Sequence, residues 1–309
     1  MPMMNEIKKQ VVKILNEFPY IKGLNKFRSD YYKNACYAPG HYYSPIVNVE
    51  EVKNKENEIW QHPMIDGIAG IDLNTEAQIA LINELKKYYA DIPFSSFKDA
   101  NRRYYFENDL YSYTDAIILY SFIRHFKPKR IIEAGSGFTS AVMLDTKNIF
   151  FQGHGLELTF IEPYPVRLYS LITENDKINS RIIENAIQSL NVSFFEQLEE
   201  NDILFIDSTH VSKTGSDVNY VLFEILPRLK SGVFIHFHDV FYPFEYPKEW
   251  VYGGFNWNEN YLLRAYLMYN EIFEIKLFSD YLHVHHKEVF KEMPLCYLNT
   301  GGNLWLQKR

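Results

Sequence analysis

Cysteine is nearly absent. With Cys36 and Cys296 as the whole complement of a 309-residue chain, neither a disulfide framework nor a thiolate zinc site can be assembled, and a reducing, cytoplasmic setting is expected. Long apolar runs are missing too. No stretch approaches the roughly eighteen uncharged apolar residues that a membrane helix needs, which excludes insertion by such a helix. Met1 to Phe18 holds no continuous apolar segment. It places Ile7, Val11, Leu15 and Phe18 on one helical face among lysines and glutamates, so no signal peptide is expected there. Positive charge is in deficit, with 32 Lys+Arg against 39 Asp+Glu for a net −7. The chain therefore offers no cationic field for nucleic acid or anionic lipid. Internal repeats, low-complexity tracts and charged tails are also lacking.

What the chain has in excess is aromatic: 24 Tyr, 23 Phe and 4 Trp, within 47% hydrophobic residues. A heavily packed core is the expected use of these rings, with an aromatic-lined substrate cleft as the alternative. Up to about residue 115 the pattern is of helices joined by polar, aromatic loops, giving an expected cap over 1–115. Thr75 and Gln78 have capping-box spacing ahead of Leu81, Ile82, Leu85, Tyr88 and Tyr89, and Ser112 to Phe126 repeats the helical period. Between them, Ala38 to Pro45, with His41, Tyr42 and Tyr43, and Asn101 to Tyr105, with Arg102, Arg103 and Tyr104, are loop-like by composition. They would suit either a polyol-binding lid or an aromatic-packed linker.

From Pro128 the texture changes to short apolar runs alternating with helical periods, the pattern of βαβ units, so 116–309 is expected as one α/β domain. Strands are expected at Arg130–Glu133, Leu158–Glu162, Arg181–Glu184, Asp202–Asp207 and Val233–His238. A helix is expected over Ser216–Lys230, where Val218, Val221, Leu222, Ile225, Leu226 and Leu229 keep helical spacing ahead of Gly232. The extended segments Glu271–His286 and Leu295–Gln307 would pair as a hairpin. On the first of these His283, His285 and His286 suggest a solvated strand end, with metal ligation as the other option.

Arg130-Ile-Ile-Glu-Ala-Gly-Ser-Gly-Phe-Thr-Ser140 reads as a strand running into a Gly-x-Gly turn and a helix. Gly135 and Gly137 let the backbone turn tightly and approach a ligand, and the helix start offers unpaired N–H groups. Glu133 and Glu162 are acids at strand ends, and a carboxylate at the second strand's end is placed to accept both hydroxyls of a ribose. The segment resembles the class I S-adenosylmethionine-dependent methyltransferases over roughly Pro128 to Arg309, with Glu133-Ala-Gly-Ser-Gly137 as their first motif. The resemblance implies a doubly wound, mostly parallel seven-stranded sheet of order 3-2-1-4-5-7-6, the Rossmann-like methyltransferase fold. It also implies S-adenosylmethionine as cofactor, with Glu133, Gly135, Ser136 and Gly137 at the methionine portion, Glu162 at the ribose, Ile187 or Gln188 at the adenine, and Asp207 beside them.

A second constellation follows. Asp207 ends one apolar strand with His210 three residues on, and His238 and Asp239 end the next strand. In a doubly wound sheet both strands finish at the lip that holds the glycine turn. Asp207 and Asp239 could instead cap helices, and His236 could be a satisfied interior histidine. Within the family the chain is similar to the macrocin and mycinamicin O-methyltransferases, which act on sugar hydroxyls using magnesium. That similarity implies His210 as general base and a divalent cation on Asp207, His238 and Asp239. Two carboxylates make magnesium the first choice, while His238, which stands where those proteins have a carboxylate, keeps manganese, iron or zinc as alternatives.

The expected activity is methyl transfer to a hydroxyl of a sugar or other polar small molecule, with the cap loops bearing His41 to Tyr43 and Tyr104 to Tyr105 over the acceptor. The expected partners exclude nucleic acid and are compatible with a homo-oligomer. Three other readings stand beside it. A metal-dependent hydrolase would use the same Asp/His cluster but leave Glu162 without a role. A silent cofactor-binding scaffold would leave His210 idle. An NAD-dependent dehydrogenase is disfavoured because Ser140 replaces the third glycine of a dinucleotide fingerprint.

Overall fold

Five apolar runs, each bounded by Gly, Pro or charged residues, form the parallel part of one sheet. They are β1 (Arg130–Ala134), β2 (Glu157–Ile161), β3 (Arg181–Ile183), β4 (Ile203–Ile206) and β5 (Phe234–Phe237). Each end lies within one residue of its expected position. Residues of β4 and β5 are buried on both faces, as unbroken runs such as Ile203-Leu-Phe-Ile require. Two antiparallel strands complete the sheet, β6 (Phe273–Phe278) and β7 (Leu304–Lys308), in the order β3-β2-β1-β4-β5-β7-β6. This is the α/β, Rossmann-like methyltransferase topology.

The computed structural model describes residues 2–60, 67–152 and 155–309. The chain divides into two units, Met1–Gln61 with Val251–Asn256, and His62–Trp250 with Trp257–Arg309. The segment expected as a cap thus falls in both, residues from 62 onward belonging with the sheet. Among the described residues no helix is long and apolar enough to cross a membrane, and both cysteines are free.

In the first unit, helices span Pro2–Leu15 and Pro19–Asn34, and a shorter one, Val49–Asn54, is capped by the Asn48 side chain, which accepts from the Glu50 and Glu51 amides. On the first helix the expected apolar positions Ile7, Val11 and Leu15 are exposed, while Phe18 falls outside it and precedes the second helix, exposed as well. His41 stacks between Tyr37 and Tyr42 at centroid distances of 4.6 and 4.5 Å.

In the second unit most large rings are core. Helices Tyr113–Phe126 and Phe138–Phe150 pack together against the sheet. Phe122 stacks on Trp305 at 4.0 Å, and Phe205 stacks on His236 at 3.9 Å. His236 is fully buried, but neither ring nitrogen has a partner, so it is not the satisfied interior histidine considered above. Burial holds it well below its usual pKa and therefore neutral.

Four local expectations are corrected. Gln78 does not complete a capping box, because its side chain is buried and bridges the Leu73 carbonyl and the Phe278 amide. The Ser216–Lys230 segment is helical but uneven. A short α-turn, Asp217–Tyr220, widens into a π-turn, Val221–Ile225, and tightens to a 3-10 turn, Leu226–Arg228, where Pro227 lacks the N–H a regular helix needs. The late extended segment stops at Phe278. Residues Ser279–His285 are a helix, on which His283 is buried with both ring nitrogens at carbonyls of Ser279 and Cys296. Finally, Arg103 and Tyr104 are structural. Arg103 pairs with Asp145 at 2.7 Å and Asp176 at 2.5 Å, and buried Tyr104 donates to the Tyr111 carbonyl. Tyr105 packs edge-on against Phe138.

Candidate active site

The site is built where β1 to β5 end. After β1 the chain turns through Gly135, whose φ is +84°. A Cβ there would overlap the carbonyl oxygen of Asp207, so glycine is demanded by the crowding of β1 against β4 as well as by the dihedral. Gly137 then caps the helix Phe138–Phe150, and its amide donates to the Ser140 hydroxyl at 3.1 Å. Ser140 in turn donates to Glu133, a fully buried carboxyl that burial pushes up to about 8. Glu133 therefore lies behind the turn and anchors the helix start. Its second oxygen has no partner.

The remaining residues expected around a methyl donor come together. One cavity of about 400 Å³ is lined by Gly135, Glu162, Ile187, Gln188 and Asp207, with Tyr164 and Thr209 at its edge. Glu162 is held facing it, its two oxygens accepting the Ser136 amide at 3.2 Å and the Tyr164 amide at 2.8 Å. A neighbouring cavity of about 220 Å³ shares Gly135, Glu162 and Asp207 and adds Ser136, Gly137, Thr139 and Arg167. The Ser136 and Thr139 hydroxyls are buried there beside the Glu133 carboxyl. A larger space of about 630 Å³ opens at the opposite end of the strands, where β1 and β2 begin, between Arg124, Lys129 and Leu156. Its Arg124 guanidinium is already engaged by Asp91 and Tyr120.

Beside the first cavity stands an acidic cluster around one imidazole. His210 is buried, with Nε2 at 3.5 Å from both Asp207 and Asp239 and Nδ1 at 2.9 Å from Glu259. Trp257 covers the ring at 4.5 Å. Both His210 and Asp239 adopt left-handed φ of 58°, a strain of the kind that gathers at functional sites. The His210 conformation is held by its carbonyl, which accepts from the Asn258 and Glu259 amides, and by Asp217, which fixes Thr209 through two hydrogen bonds. Burial alone would lower the His210 pKa, but Asp207, Glu259 and Asp239 outweigh it and raise it well above the usual value.

Asp207, His238 and Asp239 each offer a ligand atom, all within 4.8 Å of one another. His238 Nδ1 is buried without a partner. Two carboxylates and an imidazole suit a divalent cation and do not discriminate magnesium from softer ions. Three groups were not foreseen. Glu259 shows no spacing relation to His210 in sequence. Asp115, whose carboxyl burial raises to about 6, accepts from the Gly302 amide behind Asp239; an acid among the apolar positions of the Ser112–Phe126 helix was its signal. The Tyr111 ring lies 5.0 Å from His238.

Residues 132–240 match a family model described as a methyltransferase domain. An uncharacterized protein of Archaeoglobus fulgidus is 35% identical over 203 residues, covering 63% of this chain and 90% of that protein. Residues 132–240 thus carry the match to the methyltransferase domain family. Among solved structures it is similar to the S-adenosylhomocysteine-bound Podospora anserina methyltransferase PaMTH1, at 15% identity and TM-score 0.43, over 79% of this chain and 99% of that one. It is also similar to cmcI-D160 with magnesium and S-adenosylmethionine, at 14% identity and TM-score 0.37, over 72% and 84%. Both likenesses are too remote to bear on chemistry. The matched domain contains Glu133, Gly135, Glu162, Asp207, His210, His238 and Asp239, whereas Asp115 and Glu259 lie outside it.

Proposed function

We propose that this methyltransferase transfers the methyl group of S-adenosylmethionine to a hydroxyl of a sugar or similarly polar small molecule. The observation that carries the reading is the 400 Å³ cavity. Gly135, Glu162, Ile187, Gln188 and Asp207, drawn from four strand ends, line one space. A hydrolase using only the acidic cluster would leave that cavity unexplained.

In this reading Glu162 accepts the two ribose hydroxyls, Ile187 and Gln188 contact the adenine, and the Ser136–Gly137 turn receives the amino-acid end. Asp207, Asp239 and His238 would hold a divalent cation, magnesium first, which supplies polarisation of the acceptor hydroxyl, as metals do when they lower the pKa of bound water from about 16 to about 7. His210 is the proton acceptor, because a cation held by Asp207 and Asp239 would offset two of the three carboxylates that otherwise favour its charged form. Its Nδ1 is committed to Glu259, leaving Nε2, on the Asp207 and Asp239 side, as the atom that takes the hydroxyl proton. Trp257 and the burial of the ring keep bulk water from it. A small-molecule acceptor and a cytoplasmic setting belong to the same proposal.

Radiolabelled methyl transfer to a panel of glycosides tests it. His210→Ala and Asp207→Asn are expected to lower the rate by roughly 10² to 10⁴, the usual effect of losing an acid/base group, and exhaustive chelation is expected to abolish turnover. Full activity in His210→Ala would remove the base assignment, and activity surviving chelation would remove the metal.

A further inference from the structure

The smaller cavity has one positive charge in an acidic wall. Glu162 and Asp207 face it, and among the described residues lining the two cavities Arg167 is the only cation. Arg167 lies on the short helix Val166–Leu171 that follows β2. Its stem passes over the glycine turn so closely that a Cβ at Gly137 would come within 3.0 Å of Arg167 Cδ. Its guanidinium has no hydrogen-bonded or ion-paired partner among the described residues, although its charge is felt at Asp207. An arginine with five unused donors beside two buried hydroxyls, Ser136 and Thr139, is equipped for a planar anion.

The amino-acid end of the proposed methyl donor is a zwitterion. Its ammonium is favoured by the acidic wall, while its carboxylate would be repelled by Asp207 and Glu162 unless a cation stood opposite. We propose that Arg167 binds the carboxylate of the methionine moiety in a two-pronged contact, with the Ser136 and Thr139 hydroxyls completing the cradle. The assignment rests on the donor reading given above and deepens it by fixing which group of the donor is recognised by charge. Gly137 fits this role as well, because a side chain there would push the arginine stem away from the turn.

The test is a chemical double-mutant cycle by calorimetry. Wild type and Arg167→Gln are each titrated with S-adenosylhomocysteine and with its analogue lacking the carboxylate. The expected result is a weakening of S-adenosylhomocysteine of about tenfold in Arg167→Gln, in line with loss of one charge-assisted pair in a half-open site. The analogue should bind both proteins equally, and Arg167→Lys should recover part of the loss. Equal weakening of both ligands, or of neither, would overturn the assignment while leaving the donor reading intact. Failure of wild type to bind S-adenosylhomocysteine at all would overturn the donor reading and this assignment with it. Glutamine keeps part of the stem over Gly137, and an unchanged melting temperature checks that the fold is retained.

Discussion

His210 shows how a single side chain takes its chemistry from its neighbours. Alone it would titrate near neutrality, but Asp207, Asp239 and Glu259 surround it and favour the charged ring. Of the three, only Glu259 lies outside the proposed cation ligands, so its task is to orient the imidazole through Nδ1. Glu259→Gln is therefore expected to slow methyl transfer by roughly 10- to 100-fold with little change in S-adenosylhomocysteine affinity. An unchanged rate in steady-state assays would contradict this. Glu133 makes the complementary case. Burial raises its pKa from 4.5 to about 8, so the native state keeps a proton that the unfolded chain gives up. The resulting stability is complete below about pH 4.5 and is lost as pH rises through about 8. Melting curves from pH 5 to 8 should show Glu133→Gln gaining on wild type as pH rises; a constant difference would exclude this origin. Asp207, His210, His238 and Asp239 were visible in the sequence because each follows an apolar strand. Glu259 was not, because the fold alone brings it to His210, nearly fifty residues away.

At the level of elements, Gly135 corrects a simple expectation. The sequence suggests that glycine there clears space for a ligand, so that substitution would harm binding alone. Since an added Cβ would overlap the Asp207 carbonyl, Gly135→Ala must push apart the ends of β1 and β4. It should lower the melting temperature and solubility as well as abolish binding, as circular dichroism on the purified variant would show; a variant with wild-type stability would contradict the crowding. The five parallel strands were legible because a strand buried on both faces must be an unbroken apolar run, and polar or turn residues mark its ends. The helix Ser279–His285 was not, because in a short segment directly continuing β6 the alternation of Leu282 and Val284 with His283 and His285 reads as extended chain. The Ser216–Lys230 helix was legible in its apolar face, but the widening of its turns comes from backbone hydrogen bonding near Pro227, to which side-chain spacing is blind.

For the molecule as a whole, an acidic chain without a cationic surface field concentrates its carboxylates at one edge of a seven-stranded sheet. Glu162 and Asp207 face the two cavities, where Arg167 is the one cation among the described lining residues, and Asp239 and Glu259 stand beside them around His210. Such an edge favours a positively charged donor and a divalent cation and disfavours an anionic dinucleotide. Calorimetric titration of the wild-type chain with S-adenosylhomocysteine, alongside NAD and repeated on Glu162→Ala, tests this account most directly. It predicts saturable one-to-one binding of S-adenosylhomocysteine, clear weakening in Glu162→Ala and no heat with NAD. Heat with NAD and none with S-adenosylhomocysteine would contradict it.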